Sequence, residues 1–380
     1  MGTGSTSGMP RKLRLAYFAH TLRSDWNNGN AHFLRGLMRA LGRMGHEVVV
    51  LEPEADWSID NLRSEPEGER SLRQFGETYP DIKVSTYRHD CPEPERCFRE
   101  RLRGTDVVVL HEWNPPELAQ MLLALRQQLG YKLLFHDTHH RASSSPEQLQ
   151  RFGLNRFDGI VAFGEVLCDI YRDQFGLDSV WTLHEAADTS VFKPHPEMER
   201  RDEVVWVGNW GDNERAQELR EFLLEPAAAL GDAARTTIYG VRYPEEALLA
   251  LRNAGVTYGG YLPNLDAPLL YASAKATVHV PRQQYCGAMR GIPTIRVFEA
   301  LACGIPLVSA PWEDSEELFR ASDLRWATNS GEMTVALRTL LTDKAAAEDQ
   351  ALRGLETILS RHTCTHRAKE LTEICEEVMG

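Results

Sequence analysis

Strand and helix patterns alternate along this chain in two successive halves, and this constrains the fold more than any other feature. In the first half, an apolar run at 13–19 precedes a polar loop, a helix expected at 31–44 and a strand at 48–51. Further buried strands are predicted at 106–110, 132–135, 159–163 and 179–183. Such alternation favours a parallel sheet with helices on both faces.

The second half repeats this order after a change in composition at 193–202, where two prolines and several charges interrupt the pattern. Strands are predicted at 204–207, 236–239, 277–280 and 307–309, with helices at 216–224, 245–253 and 295–303. The chain has 380 residues, which is more than a single hydrophobic core usually supports. We therefore expect an α/β protein with two Rossmann-like, doubly wound domains facing a cleft, 9–192 and 193–362, and a last helix in 363–380 that packs back toward the first domain.

Composition is that of an ordinary globular protein, and it argues against two classes of function. Hydrophobic residues make up 42% and charged residues 26%, and no apolar run reaches the roughly 18 residues of a membrane span. The net charge of −13 disfavours general nucleic-acid binding, which needs a basic surface. Residues 1–8 are rich in Gly, Ser and Thr and lack the apolar stretch of a signal peptide, so we expect a natural start at Met9 and a cytoplasmic protein.

The seven cysteines fit such a compartment. Their number is odd, their spacings are scattered and no Cys-x-x-Cys pair occurs. Cys91 and Cys97 are close enough in sequence to raise a metal site as an alternative, although they lie in an acidic, proline-rich segment. We expect buried, free thiols.

The segment 293–306 carries the most chemical information. Thr294 precedes a short predicted helix, and the helix start at Ile295 offers unpaired N–H groups and a partial positive charge, which suit a diphosphate without a metal ion. Arg296 adds a charged contact in the first turn, and Glu299 offers a carboxylate to a ribose diol. The alternative is a plain helix whose charged side chains face solvent.

Two polar segments of the first half are candidates for the other side of the cleft. The sequence His-Asp-Thr-His-His-Arg at 136–141 directly follows a predicted strand, and a metal site or a purely structural cluster are its alternatives. In the loop 25–32, Gly29 permits a close backbone approach, and Asn28 and Asn30 offer donors and acceptors. A surface turn without a ligand is the alternative for this loop.

Arg35, Arg39 and Arg43 recur at every fourth residue of the first predicted helix. Such a stripe is compatible with contact to anionic lipid or to a phosphate-bearing acceptor. A solvated helix face is the favoured interpretation, because the whole chain is acidic.

These segments resemble the retaining GT-B glycosyltransferases of the group-1 (family 4-like) superfamily, specifically its spore-protein-like branch. The superfamily helix Glu-Ala-x-Ala-x-Gly-x-Pro-x-Val is matched by Glu299, Ala300, Ala302, Gly304, Pro306 and Val308. The junction motif Asn-Gly-Val-Asp-x-x-x-Phe-x-Pro resembles 185–194, and the glycine turn that opens the second domain resembles 207–208. The three matches lie in order within 181–311.

The resemblance implies a GT-B fold and a metal-independent, retaining transferase without a cofactor, which moves a hexosyl-type sugar from a UDP- or GDP-linked donor to an unidentified hydroxyl acceptor. With it, the donor site is expected to include Gly208, Asn209, Arg215, Tyr261, Leu262, Arg282, Arg290, Thr294, Ile295, Arg296 and Glu299. The resemblance places His136, or as second choice His139, beside the donor sugar, and the loop of Asn28, Gly29 and Asn30 on the acceptor side. His136, Arg215 and Arg296 are the expected catalytic residues.

The chain departs from the superfamily at three positions. Gly291 stands eight residues before Glu299, where the superfamily usually has a glutamate that contacts the donor sugar. Asn209 replaces the usual arginine after the glycine turn, and Arg215 is one position out of register with the usual lysine. Sugar specificity is therefore expected to come from elsewhere. An NDP-sugar epimerase or hydrolase on the same fold, and a non-catalytic coat or capsule assembly protein, remain alternatives.

Overall fold

Residues 11–88, 91–211 and 214–380 are described by the computed structural model, with the backbone alone for residue 202, so the predicted start at Met9 lies outside the described residues. Within them, the first half folds around one parallel sheet made of β1 Arg14–Phe18, β2 Glu47–Pro53, β3 Lys83–Tyr87, β4 Val107–His111, β5 Lys132–Asp137, β6 Gly159–Ala162 and β7 Val180–Thr182. The strands lie in the order β3-β2-β1-β4-β5-β6-β7.

Helices cover both faces of this sheet: α1 Ala31–Arg43, α2 Trp57–Ser64, α3 Gly68–Thr78, α4 Pro94–Leu102, α5 Pro116–Leu129, α6 Arg141–Ser144, α7 Pro146–Gln150 and α8 Glu165–Asp173. Side chains alternate between the two faces of a strand, so β1 contributes side chains to two separate hydrophobic clusters. Leu15 and Tyr17 pack with apolar residues of α1, whereas Ala16 and Phe18 pack with those of α4 and α5. This two-sided burial explains why the strands are apolar throughout.

The second half repeats the architecture within the described residues. Its strands β8 Arg201–Val207, β9 Arg235–Tyr239, β10 Thr257–Tyr258, β11 Ala274–His279, β12 Leu307–Ser309 and β13 Arg325–Trp326 are parallel and lie in the order β10-β9-β8-β11-β12-β13. Its helices are α9 Ala216–Leu219, which continues through a π-helical turn at Arg220–Leu224, α10 Glu225–Leu230, α11 Glu245–Asn253, α12 Ala267–Ser273, α13 Gln283–Cys286, α14 Ile295–Ala302, α15 Ser330–Thr342, α16 Lys344–Arg361 and α17 Cys364–Met379. In the part of the chain that is described, no helix is both long enough and apolar enough to cross a bilayer.

The strand orders locate the cleft. In each sheet the direction of winding reverses beside the first strand, between β1 and β4 and between β8 and β11. Loops diverge at such a switch point and leave a crevice at the carboxyl ends of the strands. The predicted α/β class, with two doubly wound sheets, is confirmed.

The last helix, α17, lies against the first half of the chain. It packs on α1, and Thr372 Oγ1 lies 3.2 Å from His46 Nε2 at the start of β2. Just before α17, the His362 carbonyl accepts a hydrogen bond from Ala187 N at 3.0 Å, and Cys364 N donates to the Ala187 carbonyl at 2.9 Å. The C-terminal segment therefore fixes the chain shortly before it crosses into the second half.

Two of the three arginines on α1, Arg35 and Arg39, are buried, so for them both the solvated face and the lipid contact are wrong, whereas Arg43 is exposed as a solvated face requires. Arg35 is fully buried and donates to the carbonyls of Leu22 and Arg23. Arg39 is also buried, with its guanidinium 4.0 Å from the ring centre of Tyr79. Both are covered because the segment 55–79 forms the helices α2 and α3.

The cysteines are free, as predicted, but only some are buried. Cys168, Cys303, Cys364 and Cys375 are buried, whereas Cys286 is exposed. Cys91 and Cys97 are half-buried, with their sulfur atoms 3.2 Å apart.

Candidate active site

A cavity of about 410 Å³ lies between the two halves, at the carboxyl ends of both sheets. Its walls include most of the residues predicted from sequence: Asn28, Gly29, Asn30 and His139 from the first half, and Gly208, Asn209, Arg215, Tyr261, Leu262, Arg282, Thr294, Ile295 and Arg296 from the second. The two halves are in contact around it. Asn209 Nδ2 donates to Asn27 Oδ1, and Tyr261 Oη donates to Asp25 Oδ1.

The start of α14 faces the cavity. Thr294 has an extended backbone, and its side chain does not cap the helix. The first N–H groups of a helix have no acceptor within the helix, so those of Ile295 and Arg296 are available to an anion. The arrangement offers backbone donors and a partial positive charge where sequence predicted a diphosphate site.

Arg215 is buried and contributes a positive charge to the wall of the cavity. Its guanidinium donates to the carbonyls of Asn209, at 2.6 and 3.1 Å, and Val280, at 3.3 Å, and lies 5.0 Å from the ring centre of Trp206. No described carboxylate forms an ion pair with Arg215. Burial, and next the nearby Arg282, lower its pKa to about 10, which keeps it charged at neutral pH. A buried cation that no described carboxylate neutralises is suited to binding an anion, because an uncompensated buried charge is costly.

Two predicted residues do not reach the cavity. His136, the first choice beside the donor sugar, is buried and does not line the cavity, and its Nδ1 lies 2.6 Å from Tyr17 Oη. Because His136 is still within β5, its side chain follows the alternation of the strand into the core. Arg290 points away, and its exposed side chain pairs with Glu313 at 3.2 Å. The assignments of His136 and Arg290 to the site are corrected accordingly.

Glu299 also fails to face the cavity, contrary to its expected role at a ribose. Its carboxylate is fully buried and is taken up by protein groups. Arg296 donates to Oε2, Asn264 Nδ2 donates to Oε1 at 3.0 Å, and His32 Nδ1 lies 3.0 Å from Oε1. Because His32 belongs to α1, the carboxylate ties the two halves of the chain together.

The second-choice histidine, His139, does line the cavity. Its ring lies 4.9 Å from that of Trp113 and 4.0 Å from that of His140. Burial, and next the neighbouring His140, lower the pKa of His139, so a neutral imidazole faces the cavity. The neighbouring His140 contacts Ser144 Oγ through Nδ1 at 2.8 Å. Among the described residues, no group of three or more His, Cys, Asp or Glu side chains has a metal-binding arrangement.

The acceptor-side loop is held by a buried polar network. Asn30 Nδ2 donates to Thr138 Oγ1 at 2.6 Å, and Thr138 Oγ1 lies 3.2 Å from Glu112 Oε1 and 3.0 Å from His111 Nε2. Burial raises the pKa of Glu112 to about 7. The network connects the loop before α1 to the ends of β4 and β5.

Comparison with protein families decides what kind of protein this is. The model of glycosyltransferase family 4 matches residues 27–191, and a glycosyl transferase-like family of the group-1 type matches residues 215–373. The chain belongs to the group-1 glycosyltransferases. Its place in the spore-protein-like branch remains a prediction. No curated protein matches this chain significantly in sequence.

Solved structures share the fold of this group-1 glycosyltransferase over almost its whole length. HepE from Anabaena in complex with UDP-glucose has a TM-score of 0.68 at 13% identity, over 96% of this chain and 100% of HepE. Sucrose-phosphate synthase from Thermosynechococcus elongatus has a TM-score of 0.67 at 15% identity, over 96% and 99%. TarM has a TM-score of 0.68 at 8% identity, over 97% and 99%. The fold is therefore GT-B, as predicted.

Gly291, where this glycosyltransferase departs from its superfamily, has no room for a side chain. Its φ of +95° lies in the left-handed region, and an added Cβ would collide with Ser315 Oγ. A glutamate at this position would require the backbone and Ser315 to move.

Several residues of the cavity wall were not predicted from sequence, among them His20, Trp57, Trp113, Glu185 and Glu214. Three of them had a usable signal, because His20, Trp113 and Glu185 each follow closely after a strand of the first sheet. Glu185 even lies within the junction segment that resembles the superfamily. Of the remaining two, Trp57 begins α2 and Glu214 lies in the loop before α9, and both reach the cavity through tertiary packing, which leaves no local pattern in sequence.

Proposed function

We propose that this glycosyltransferase moves a sugar from a UDP-linked donor to an acceptor hydroxyl without a metal ion. The proposal depends most on Arg215, a buried cation that forms no ion pair with any described carboxylate and faces the same cavity as the start of α14. HepE and the α-glucosyltransferase, which share the fold, have been solved with UDP. A diphosphate is the anion that fits a helix start flanked by guanidinium groups.

The proposed reaction breaks the bond between the anomeric carbon and the diphosphate oxygen, while the acceptor oxygen forms a new bond to that carbon and loses its proton. Negative charge grows on the leaving diphosphate as the bond breaks. Arg215 and the N–H groups of Ile295 and Arg296 would stabilise that charge, with Arg282 close by. Preorganised donors in a cavity from which water is excluded stabilise developing charge by several kcal/mol.

The family resemblance supports retention of configuration, with a phosphate oxygen of the donor receiving the acceptor proton. The lowered pKa of His139, one of the histidines that line the cavity, supports this as well, because a histidine that stays neutral is a poor proton acceptor. In this proposal His139 orients hydroxyl groups by hydrogen bonding, and the diphosphate carries the charge and the proton.

The acceptor side would be the surface formed by Trp57, Trp113 and His20. The two indoles are 44% and 39% exposed at the cavity, unusually open for tryptophan. The His20 ring lies between them, stacked on Trp57 at 6.2 Å and 6.3 Å from Trp113. Exposed aromatic rings beside polar groups suit the apolar face of a sugar ring.

Nucleotide binding provides the first test. A ligand that binds only the folded state increases the free energy of unfolding, by about 2.7 kcal/mol when its concentration is a hundred times its Kd. For domains of this size, that increase raises the melting temperature by roughly 5–10 °C. The ligands to be compared are UDP, GDP, ADP, dTDP, CDP and the corresponding nucleotide sugars. Of these, we expect UDP and a UDP-sugar to give such a shift. If none of these nucleotides shifts the transition at millimolar concentration, the proposed donor site is wrong.

Trp57 provides a test of the acceptor side. Trp57→Ala should weaken a saccharide acceptor by about 2–10-fold in KM, the scale of one lost aromatic contact, while the Kd of UDP stays unchanged. Initial rates of UDP release, with acceptor glycosides varied at saturating donor, measure this. Trp326→Ala removes a similarly exposed tryptophan, 38% exposed on β13 and outside the cavity, and should change neither value. Equal acceptor KM values in both variants would remove Trp57 from the acceptor site.

A further inference from the structure

Glu185 has a buried carboxyl group that lines the cavity without a partner. The residue is 3% exposed, Oε1 is sealed from solvent, and no described residue forms a hydrogen bond or ion pair with the carboxyl group. The other cavity carboxylates are paired, Asp25 with Tyr261 and Glu214 with Arg282. An unsatisfied buried polar group costs about 1–3 kcal/mol, so its presence in a binding cavity points to a ligand that satisfies it.

The backbone around Glu185 is fixed on both sides. Before it, His184 contacts the Phe163 carbonyl through Nδ1 at 3.1 Å and Glu316 Oε2 through Nε2 at 2.9 Å. After it, Ala187 is hydrogen-bonded on both sides to the segment that leads into α17. The segment that carries Glu185 is therefore held in place on both sides of the residue.

The surroundings of Glu185 favour the neutral acid. Burial, and next the carboxylate of Glu299, raise its pKa well above the ordinary value, and Glu112 adds to this, whereas Arg296 opposes it. A neutral carboxyl group both donates and accepts hydrogen bonds. A sugar hydroxyl offers the same two functions in return.

We infer that Glu185 binds a hydroxyl group of the donor sugar. The inference rests on the proposed function, because a diphosphate held by Ile295 and Arg296 places its sugar in the same cavity that Glu185 lines. A site with a buried group that must be satisfied discriminates strongly against a sugar whose hydroxyl is missing or points the other way. Glu185 thereby supplies donor-sugar specificity in a protein where position 291 carries no side chain.

Calorimetry tests this through the ratio between the Kd of a nucleoside diphosphate and the Kd of the matching nucleotide sugar. The pairs are UDP with UDP-glucose, UDP with UDP-N-acetylglucosamine, and GDP with GDP-mannose, and the pair with the largest ratio in the unmodified protein is used. Glu185→Ala should lower this ratio about tenfold and leave the Kd of the diphosphate unchanged. Glu185→Gln, which keeps a donor and an acceptor, should recover part of the loss.

Glu316→Gln is the matched control. It disturbs the same segment through His184 but leaves the carboxyl group in the cavity, so the ratio should be preserved. The inference is overturned if Glu185→Ala keeps the ratio, if Glu316→Gln lowers it equally, or if no sugar adds affinity in the unmodified protein. A protein that binds no nucleotide at all would instead contradict the proposed function.

Discussion

Arg215→Ala should lower kcat/KM by about 10²–10³-fold, with most of the loss in kcat. Charge on the diphosphate grows as the glycosidic bond breaks, so a preorganised cation stabilises the transition state more than the bound donor. Arg215 is such a cation, because backbone carbonyls hold its guanidinium and no described carboxylate neutralises it. Steady-state rates of UDP release with donor and acceptor varied separately distinguish this from a simple loss of donor affinity.

Two further variants sharpen the test of Arg215. Arg215→Lys keeps the charge but loses the planar pair of donors, so its rate should fall between those of the unmodified protein and Arg215→Ala. Arg290→Ala removes an arginine of the second half that lies outside the cavity and pairs with Glu313 at the surface, and it should retain full activity. Equal activities of Arg215→Ala and Arg290→Ala would contradict the role of Arg215 at the leaving group.

The sequence predicted the central strands well because their burial on both faces makes them uniformly apolar. The strand predicted at 307–309 coincides with β12, and the helix predicted at 295–303 differs from α14 by a single residue. Edge elements were harder. The strand β3 and the helix α4 did not stand out, since β3 is only half-buried and α4 carries charged residues on most of its surface.

The parts of the candidate site that depend on backbone geometry could be predicted from sequence. The parts that depend on which partner a side chain contacts in the folded protein were harder to predict. The loop at 28–30 and the helix start at 294–296 both line the cavity, because strand ends and helix starts occupy fixed places in a doubly wound sheet. Glu299 lies on that same helix, but one turn farther along it meets His32 from the other half of the chain. A contact between residues 267 positions apart leaves no local pattern in sequence.

The same distant contact makes Glu299→Ala the substitution with the largest expected effect on stability. Removing one partner of a buried ion pair leaves Arg296 without its carboxylate and Asn264 without its acceptor, and it removes the close contact with His32. We expect a loss of about 3 kcal/mol in the free energy of unfolding, at the lower end for buried pairs because Arg296 is partly exposed. Thermal unfolding should show a fall of roughly 6–12 °C.

The pH dependence of this loss has a definite sign. Burial alone would raise the pKa of Glu299, but the Arg296 guanidinium and the His32 ring lower it to about 2. A depressed pKa stabilises the fold above the unfolded value near 4.5, and that contribution is lost as the pH falls toward 2. The difference in denaturation midpoint between the unmodified protein and Glu299→Gln, whose amide does not titrate, should therefore narrow between pH 5 and pH 3.

A double-mutant cycle of Glu299→Ala with His32→Ala separates two interactions of Glu299. One is the contact with His32 of the first half, and the other is the ion pair with Arg296 on the same helix. If His32 and Glu299 act together, the double variant should be more stable than the sum of the single losses predicts, by about 0.5–3 kcal/mol. Strict additivity would show that Glu299 stabilises the second half alone. Coupling, in contrast, would mean that α1 of the first half holds α14 in place. Because the start of α14 faces the proposed diphosphate site, the contact between the two halves would then also position that anion site.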